Sequence, residues 1–341
     1  MSADPNISPC TAPLDIPAGA PARNALLIKA KGGLGNRMLS AVTGLVYADL
    51  TGRTPVVDWR DGVYAPLGEN AYPALFEAGD MASPDTFADT TDVVPAFWQG
   101  RVDLTPDHVI EEFEAGDHAN ARIYRKYSVD LSTLSTDERL AVFWSYLPKM
   151  ARLRPHLRKD PRFQGMSSDA IFAAYLAKYF QPNARVRREV DAFVGTLPRP
   201  VLGVHIRYTD RKISLDRVTA LIRRRLSKMP GAALFLATDS GLVQERISGE
   251  FERVFVTPKY LPEADERLHS TQETPFDKIR EAENAMIDMW ILSRCDHLIY
   301  SKNSTFSLCS ALIGALGADQ QDDVDRYNLG IVAKRMIQPY I

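Results

Sequence analysis

The second half of the chain alternates short apolar runs with longer segments in which apolar residues return every three or four positions. "PVLGVHIRYTD", "AALFLATDS", "RVFVTP" and "DHLIYSKNSTFS" read as strands with the loops that follow them. "LDRVTALIRRRLSKM", "LVQERISGEF", "AENAMIDMWILSRC" and "LCSALIGAL" read as the helices between and after them. This alternation predicts a doubly wound parallel sheet. The first half opens in the same way, with "NALLIKA" as a strand, residues 37–50 as a helix and "TPVVDW" as a second parallel strand, one βαβ unit. Over 62–107 the pattern gives way to Pro, Asp and Thr, with Tyr64, Tyr72, Phe76, Phe97 and Trp98 spaced through it. Such aromatics either line a sugar-binding cleft or pack over a sheet end, and packing is the simpler reading. Residues 168–180 and 185–194 read as amphipathic helices joined by "QPN".

At 341 residues and 45% hydrophobic content the chain exceeds the roughly 250 to 300 residues at which a single core stops growing, so two domains are expected. The divisions are a Pro/Ala-rich tail over 1–24, a first Rossmann-like domain over 25–195, a second over 196–325, and a C-terminal segment, 326–341, packing back on the first. A net charge of −2 gives no global attraction to nucleic acid or to an anionic membrane. Cys10, Cys295 and Cys309 lie far apart without CxxC spacing, which argues against a disulfide framework or a zinc site and for reduced thiols in a cytoplasmic protein. No apolar run approaches the roughly 18 residues of a membrane span, and no basic segment leads into an apolar core as in a secretory signal.

The candidate chemistry lies in the loops. "KGGLGNRMLSA" sets Gly32, Gly33 and Gly35 between the first strand and its helix, where backbone amides and the helix dipole favour an anion. The spacing fits neither the GxGxxG fingerprint nor a Walker loop, and a tight bend with no ligand is the alternative. Ligands of doubly wound sheets sit outside the carboxyl ends of the strands. His205 and Arg207 share a face at one such end, Thr238, Asp239 and Ser240 follow the next, and Ser301, Lys302, Asn303, Ser304 and Thr305 follow the last. Hydroxyls with a guanidinium fork at one sheet edge describe a phosphate site. Asp288 falls inside the apolar helix "AMIDMWIL", where a carboxylate needs a partner. A purine edge with two N–H donors would serve, and so would a nearby serine. Each residue also has a structural reading: His205 as a core histidine, Arg207 paired with Asp210, Asp239 as a helix cap, and Arg223, Arg224 and Arg225 as a solvated face. "QDDVDR", around Asp323, looks like a metal-binding DxD but lies in a polar stretch after the last apolar helix, so no metal is expected.

Together these blocks carry a family likeness. "KGGLGNRM", "YADLTGRTPVVDWRDG", "GVHIRYTDRK", "FLATDS" and "MIDMWILSRCDHLIYSKNSTFS" occur in order over 26–62 and 176–312. They resemble the bacterial nodulation fucosyltransferases and, more remotely, the eukaryotic α1,6-fucosyltransferases of N-glycan cores. The resemblance implies an α/β fold of GT-B type, two Rossmann-like doubly wound domains facing across a cleft, and an inverting transferase that passes fucose from GDP-fucose to a carbohydrate acceptor without a metal or other cofactor. It places Gly33, Gly35, Asn36 and Arg37 at the cleft edge, where the glycines let the backbone approach donor or acceptor. It also gives Arg207 the donor diphosphate, His205 a place beside the nucleotide, Asp288 the guanine, and Ser304 a position near the phosphates, with Thr305 and Asp239 completing the donor set. Two departures stand out. Tyr208 replaces a second arginine of the eukaryotic enzymes, so Arg207 must lean on Arg211, Lys302 or Arg37. Leu215 with Asp216 stands where those enzymes carry a glutamate, leaving Asp210, Asp216 and His269 as candidates for the base. A GT-B epimerase or hydrolase is one alternative, and a catalytically degenerate carbohydrate-binding protein is another, favoured by the missing glutamate.

Overall fold

The computed structural model describes residues 24–77, 79, 81–118, 120, 122–208, 213–259, 277–337 and 340. The first half contains β1 (Ala25–Lys29), α1 (Leu34–Thr51), β2 (Thr54–Asp58), α2 (Ala71–Leu75), β3 (Val93–Val94), α3 (Pro106–Phe113), α4 (Tyr124–Tyr127), β4 (Leu140–Phe143), α5 (Met150–Leu157), α6 (Ser168–Tyr179) and α7 (Ala184–Thr196). The second contains β5 (Val201–Ile206), α8 (Leu215–Leu226), β6 (Ala233–Thr238), α9 (Gly241–Glu250), β7 (Val254–Phe255), α10 (Lys278–Ser293), β8 (His297–Tyr300), α11 (Thr305–Ile313), β9 (Gln321–Asp323) and α12 (Leu329–Ile337). The strands form two sheets, ordered β2-β1-β4-β3 and β7-β6-β5-β8-β9, and every strand pair is parallel. Parallel strands are covered on both faces, which is why β1, "ALLIK", and β6, "ALFLAT", are buried at every position.

The short strands β3 and β4 close the first sheet beyond the βαβ unit that the hydrophobic pattern predicts. The "QDDVDR" stretch departs from expectation, because Gln321–Asp323 is the edge strand β9, paired with β8, and its acids are engaged by the chain itself. Asp322 accepts from Arg225 at 2.7 Å and bonds His297 at 2.9 Å, and Asp323 accepts from Arg335 at 2.7 Å. Arg225 therefore ties α8 to β9 instead of standing on a solvated face.

The two halves share one core. α1 is apolar around most of its circumference and is buried from Leu34 to Ala48, as an all-round apolar helix must be. Its cluster joins Leu26 and Ile28 of β1 to α6, α10 and α11 and runs on to Phe235, Leu298 and Tyr300 of the second sheet. Separate clusters cover the outer faces, around Trp98 and Tyr124 on the first sheet and around Val218 and Ile222 on the second. α7 precedes the second sheet in sequence yet packs on its α10, where Glu283 accepts from Asn183 at 2.8 Å and pairs with Arg185. At the other end, the Tyr340 carbonyl accepts from Arg125 at 2.8 Å and its hydroxyl from Arg154 at 2.7 Å, both on first-half helices.

Candidate active site

Most of the longer helices begin with a side-chain cap: Thr105 on α3, Ser167 on α6, Asn183 on α7, Ser214 on α8, Ser240 on α9 and Asp277 on α10 each accept a backbone N–H of the first turn. α1 and α11 do not. Gly33 has no side chain to offer, the Ser304 hydroxyl makes no cap bond, and neither helix has an acidic residue in its first turn. These two uncapped ends meet. A Cβ added to Gly35 would lie 2.5 Å from the Thr305 carbonyl carbon and 2.6 Å from the Phe306 nitrogen, so only glycine admits α11 here. Thr305 Oγ1 donates to Asn36 Oδ1 at 2.5 Å, and Cys309 Sγ contacts the Gly35 carbonyl at 3.7 Å. Each helix N-terminus carries roughly half a positive charge, so two together without a carboxylate make an anion site. The Ser304 hydroxyl is buried at this junction and has no hydrogen-bond partner among the described residues, so it is free to bond a ligand.

The strand ends of the second sheet converge on the same place. β5 and β8 are neighbours, but α8 leaves β5 for the outer core while α11 leaves β8 for the shared one. That divergence opens a crevice where doubly wound sheets bind ligands. His205, near the end of β5, lies 5.0 Å from Phe306 in a stacked pair, with Nδ1 2.5 Å from Ser307 Oγ. Burial first, then the charges of Lys259 and Arg207, push its pKa down to about 3, so the imidazole is neutral at physiological pH. Arg207 is exposed one step further on, within electrostatic reach of His205 and, across the junction, of Tyr64. Asp239 Oδ1 accepts the Tyr208 backbone N–H at 2.7 Å. It thus joins the loops after β5 and β6, and Ser240 rather than Asp239 caps α9. The Asp288 carboxylate, buried in α10, accepts from Thr257 Oγ1 at 2.6 Å and pairs with Lys259. Its partners in the protein are therefore a threonine and a lysine, not a serine.

Several sequence expectations change. Arg37 is buried and bidentate on Asp61, at 2.9 and 2.6 Å, while its Nε donates to the Gly32 carbonyl at 2.6 Å. It holds the glycine turn from beneath, and its charge is already neutralised. Gly35 serves the approach of α11, not of a ligand, and the Asn36 and Thr305 side chains are engaged with each other. Asp216 pairs with Arg246 at 2.5 Å, with its side chain 89% exposed, an external ion pair between α8 and α9. Asp210 and His269 lie outside the described residues, as does Arg211. Sequence reasoning missed Thr257 and Lys259, although they directly follow "RVFV" and the strand-end rule applied there as well. Tyr64, noted among the irregular aromatics, packs its ring 4.9 Å from the Arg37 guanidinium.

Two parallel α/β units packed on a shared core define the fold class as GT-B. In agreement, the solved structure of NodZ alpha-1,6-fucosyltransferase soaked with GDP-fucose matches with a TM-score of 0.61 at 22% identity, covering 85% of this chain and 92% of that one. The family model for Nodulation protein Z (NodZ) matches residues 169–326. Nodulation protein Z of Azorhizobium caulinodans is 27% identical over 336 residues, 87% of this chain and 91% of the relative. That of Bradyrhizobium diazoefficiens is 26% identical over 288 residues, 78% of this chain and 72% of the relative. The chain is thus similar to nodulation protein Z over most of its length.

Proposed function

We propose that this chain is a fucosyltransferase that passes fucose from GDP-fucose to a sugar hydroxyl of an oligosaccharide or glycoconjugate, with inversion and without a metal. The observation that carries this reading is the meeting of two uncapped helix N-termini beside the buried, unpartnered hydroxyl of Ser304. A diphosphate there would take the amides of α11 and the Ser304 hydroxyl, with Arg207 offering its planar fork. Asp288 has about four lone-pair sites, of which Thr257 and Lys259 use two, leaving acceptors for the N–H edge of guanine beside the neutral His205.

Acceptor attack on the anomeric carbon breaks its bond to the diphosphate oxygen, and negative charge grows on the departing GDP. Dipoles and cations already in place stabilise that charge without reorganising. Asp210 or His269, both outside the described residues, takes the acceptor proton. The first domain, 25–195, serves the acceptor and the second, 196–325, the donor. The buried thiols of Cys295 and Cys309 suit the reducing cytoplasm, and among the described residues no helix is long and apolar enough to cross a membrane.

The test is product analysis by mass spectrometry after incubation with GDP-fucose and a glycan panel, with and without EDTA. A fucosylated glycan formed equally in both supports the reading. Free fucose or an altered nucleotide-sugar with every glycan would overturn it, and activity lost to EDTA and restored by manganese would overturn the metal-free mechanism.

A further inference from the structure

We propose that Tyr146 is the platform on which the acceptor sugar lies and that Asp107, held by Lys31, orients its hydroxyls, an assignment that rests on the transferase reading. β1 and β4 run in parallel register with Ile28 opposite Phe143. Just past the ends of these strands Gly32, which directly follows Lys31, meets the Tyr146 ring, so both segments reach the carboxyl edge of the first sheet. The Tyr146 side of this edge is open, since the residue is 50% exposed and its hydroxyl makes no hydrogen bond among the described residues.

The ring is seated on the glycine turn. A Cβ on Gly32 would lie 2.7 Å from Tyr146 Cε2, and Gly32 has φ +79°, a conformation that side chains rarely adopt. One edge of the ring therefore rests on bare backbone, three residues before the Gly35 that meets α11, while half of the residue's surface is exposed. A flat aromatic surface with a polar tip suits a pyranose, whose C–H face is apolar and whose rim is hydroxylated.

The neighbouring polar groups are prearranged for such a rim. The buried Lys31 ammonium pairs with Asp107 Oδ1 and lies 3.0 Å from His118 Nδ1. An ammonium only donates, so Nδ1 accepts and the ring proton sits on Nε2, which donates to Glu111 Oε1 at 2.6 Å. Asp107 is thus fixed through one oxygen, and its other oxygen takes no bond among the described residues. Lys31 is neutralised locally, so this edge recognises an uncharged polyol.

The experiment measures transfer by the full chain at saturating GDP-fucose while a β-linked N-acetylglucosamine oligomer is varied, and GDP affinity by calorimetry. Tyr146→Ala should raise the acceptor KM by about tenfold or more with GDP affinity within about twofold of the parent, and Tyr146→Phe should stay within about threefold of it. Asp107→Asn should raise the acceptor KM by a smaller factor, again without affecting GDP. An unchanged acceptor KM in Tyr146→Ala, or equal losses toward both ligands, overturns the subsite. Direct titration with the oligomer needs no turnover and separates the two claims. If the parent binds glycan but transfers nothing and Tyr146→Ala abolishes binding, the transferase reading falls and the subsite stands. If the parent transfers and Tyr146→Ala binds glycan as well as the parent, the subsite falls alone.

Discussion

The carboxyl edges of the two sheets are built on opposite electrostatic plans. At the first edge the cations meet carboxylates of the same domain: Lys29 with Asp58 at 2.7 Å, Arg60 with Asp58 at 2.9 Å and Asp85 at 2.6 Å, Arg37 with Asp61, and Lys31 with Asp107. Burial alone would raise the pKa of Asp58, but Lys29 and Arg60 outweigh it and hold the carboxyl below its usual range. At the second edge Lys259 pairs with Asp288, which also accepts from Thr257, Asp239 accepts a backbone N–H, and the exposed Arg207 lies near two helix N-termini that carry no side-chain cap. Burial first, and then the charges of Lys259 and Arg207, lower the pKa of His205. An edge of closed ion pairs reads a neutral ligand by shape and hydroxyls, whereas helix N-termini without caps favour a ligand that brings negative charge.

Two arginines test this contrast most severely. Arg37→Ala would strand Asp61, whose side chain is 4% exposed, and breaking such a buried pair costs about 3 to 5 kcal/mol, so a large drop in Tm is expected. Arg207→Ala should barely move Tm but lower kcat by about 10²-fold or more, comparable with removing one oxyanion-hole donor. Arg207→Lys should rescue little, since an ammonium lacks the two-pronged geometry. If both variants melt alike, or Arg207→Ala turns over normally, the edges do not differ as described.

Asp288→Asn comes next. Losing a charged hydrogen bond to guanine should cost about 1.5 to 3 kcal/mol of GDP binding and narrow the preference for GDP over UDP. Because Asp288 also holds Lys259, Lys259→Met is the control: a matching loss of GDP affinity there with UDP discrimination intact would assign Lys259 to phosphate charge and Asp288 to the base. Unchanged GDP affinity in a folded Asp288→Asn protein would return that carboxylate to a purely structural tie.

The glycine turn gives a smaller and more local comparison. Gly35→Ala drives a methyl into the backbone of Thr305 and Phe306, and such overpacking costs about 1 to 3 kcal/mol. At Gly33 the φ is −72° and the nearest heavy atom to an added Cβ is 3.9 Å away, so Gly33→Ala should be close to neutral in thermal melting. Equal effects at the two positions would mean that α1 and α11 do not abut as described.

That pair also shows what a sequence can and cannot reveal. The second sheet was legible because its strands and helices carry their own periodicity, and His205, Arg207 and Ser304 were legible because topology directs attention to strand ends. The role of Gly35 was not, since its neighbour lies 270 residues away and nothing local encodes a helix end arriving from the other domain. Lys259 was within reach of the same strand-end rule, but its strand is only two residues long and its partner Asp288 comes from a distant helix. Asp216 shows the converse: a carboxylate in the right loop says nothing about which way Arg246 turns it.

The smallest expected effect is a pH dependence that tests the surroundings of His205. An unfolded histidine titrates near 6.5, about 3.5 units above the folded value, while His205 is held down to about 3. Between those values the unfolded chain binds a proton that the folded one refuses, so stability from this residue is complete above about pH 6.5 and is lost as pH falls toward 3. Urea unfolding of His205→Asn between pH 4 and 7 should therefore show a shallower acid limb than the parent, by at most about 1.4 kcal/mol per pH unit for one proton. Lys259→Met should weaken the limb in part, because it removes one of the two cations while leaving the burial. If His205→Asn and the parent share one acid limb, the imidazole is not held neutral by its burial and the neighbouring cations.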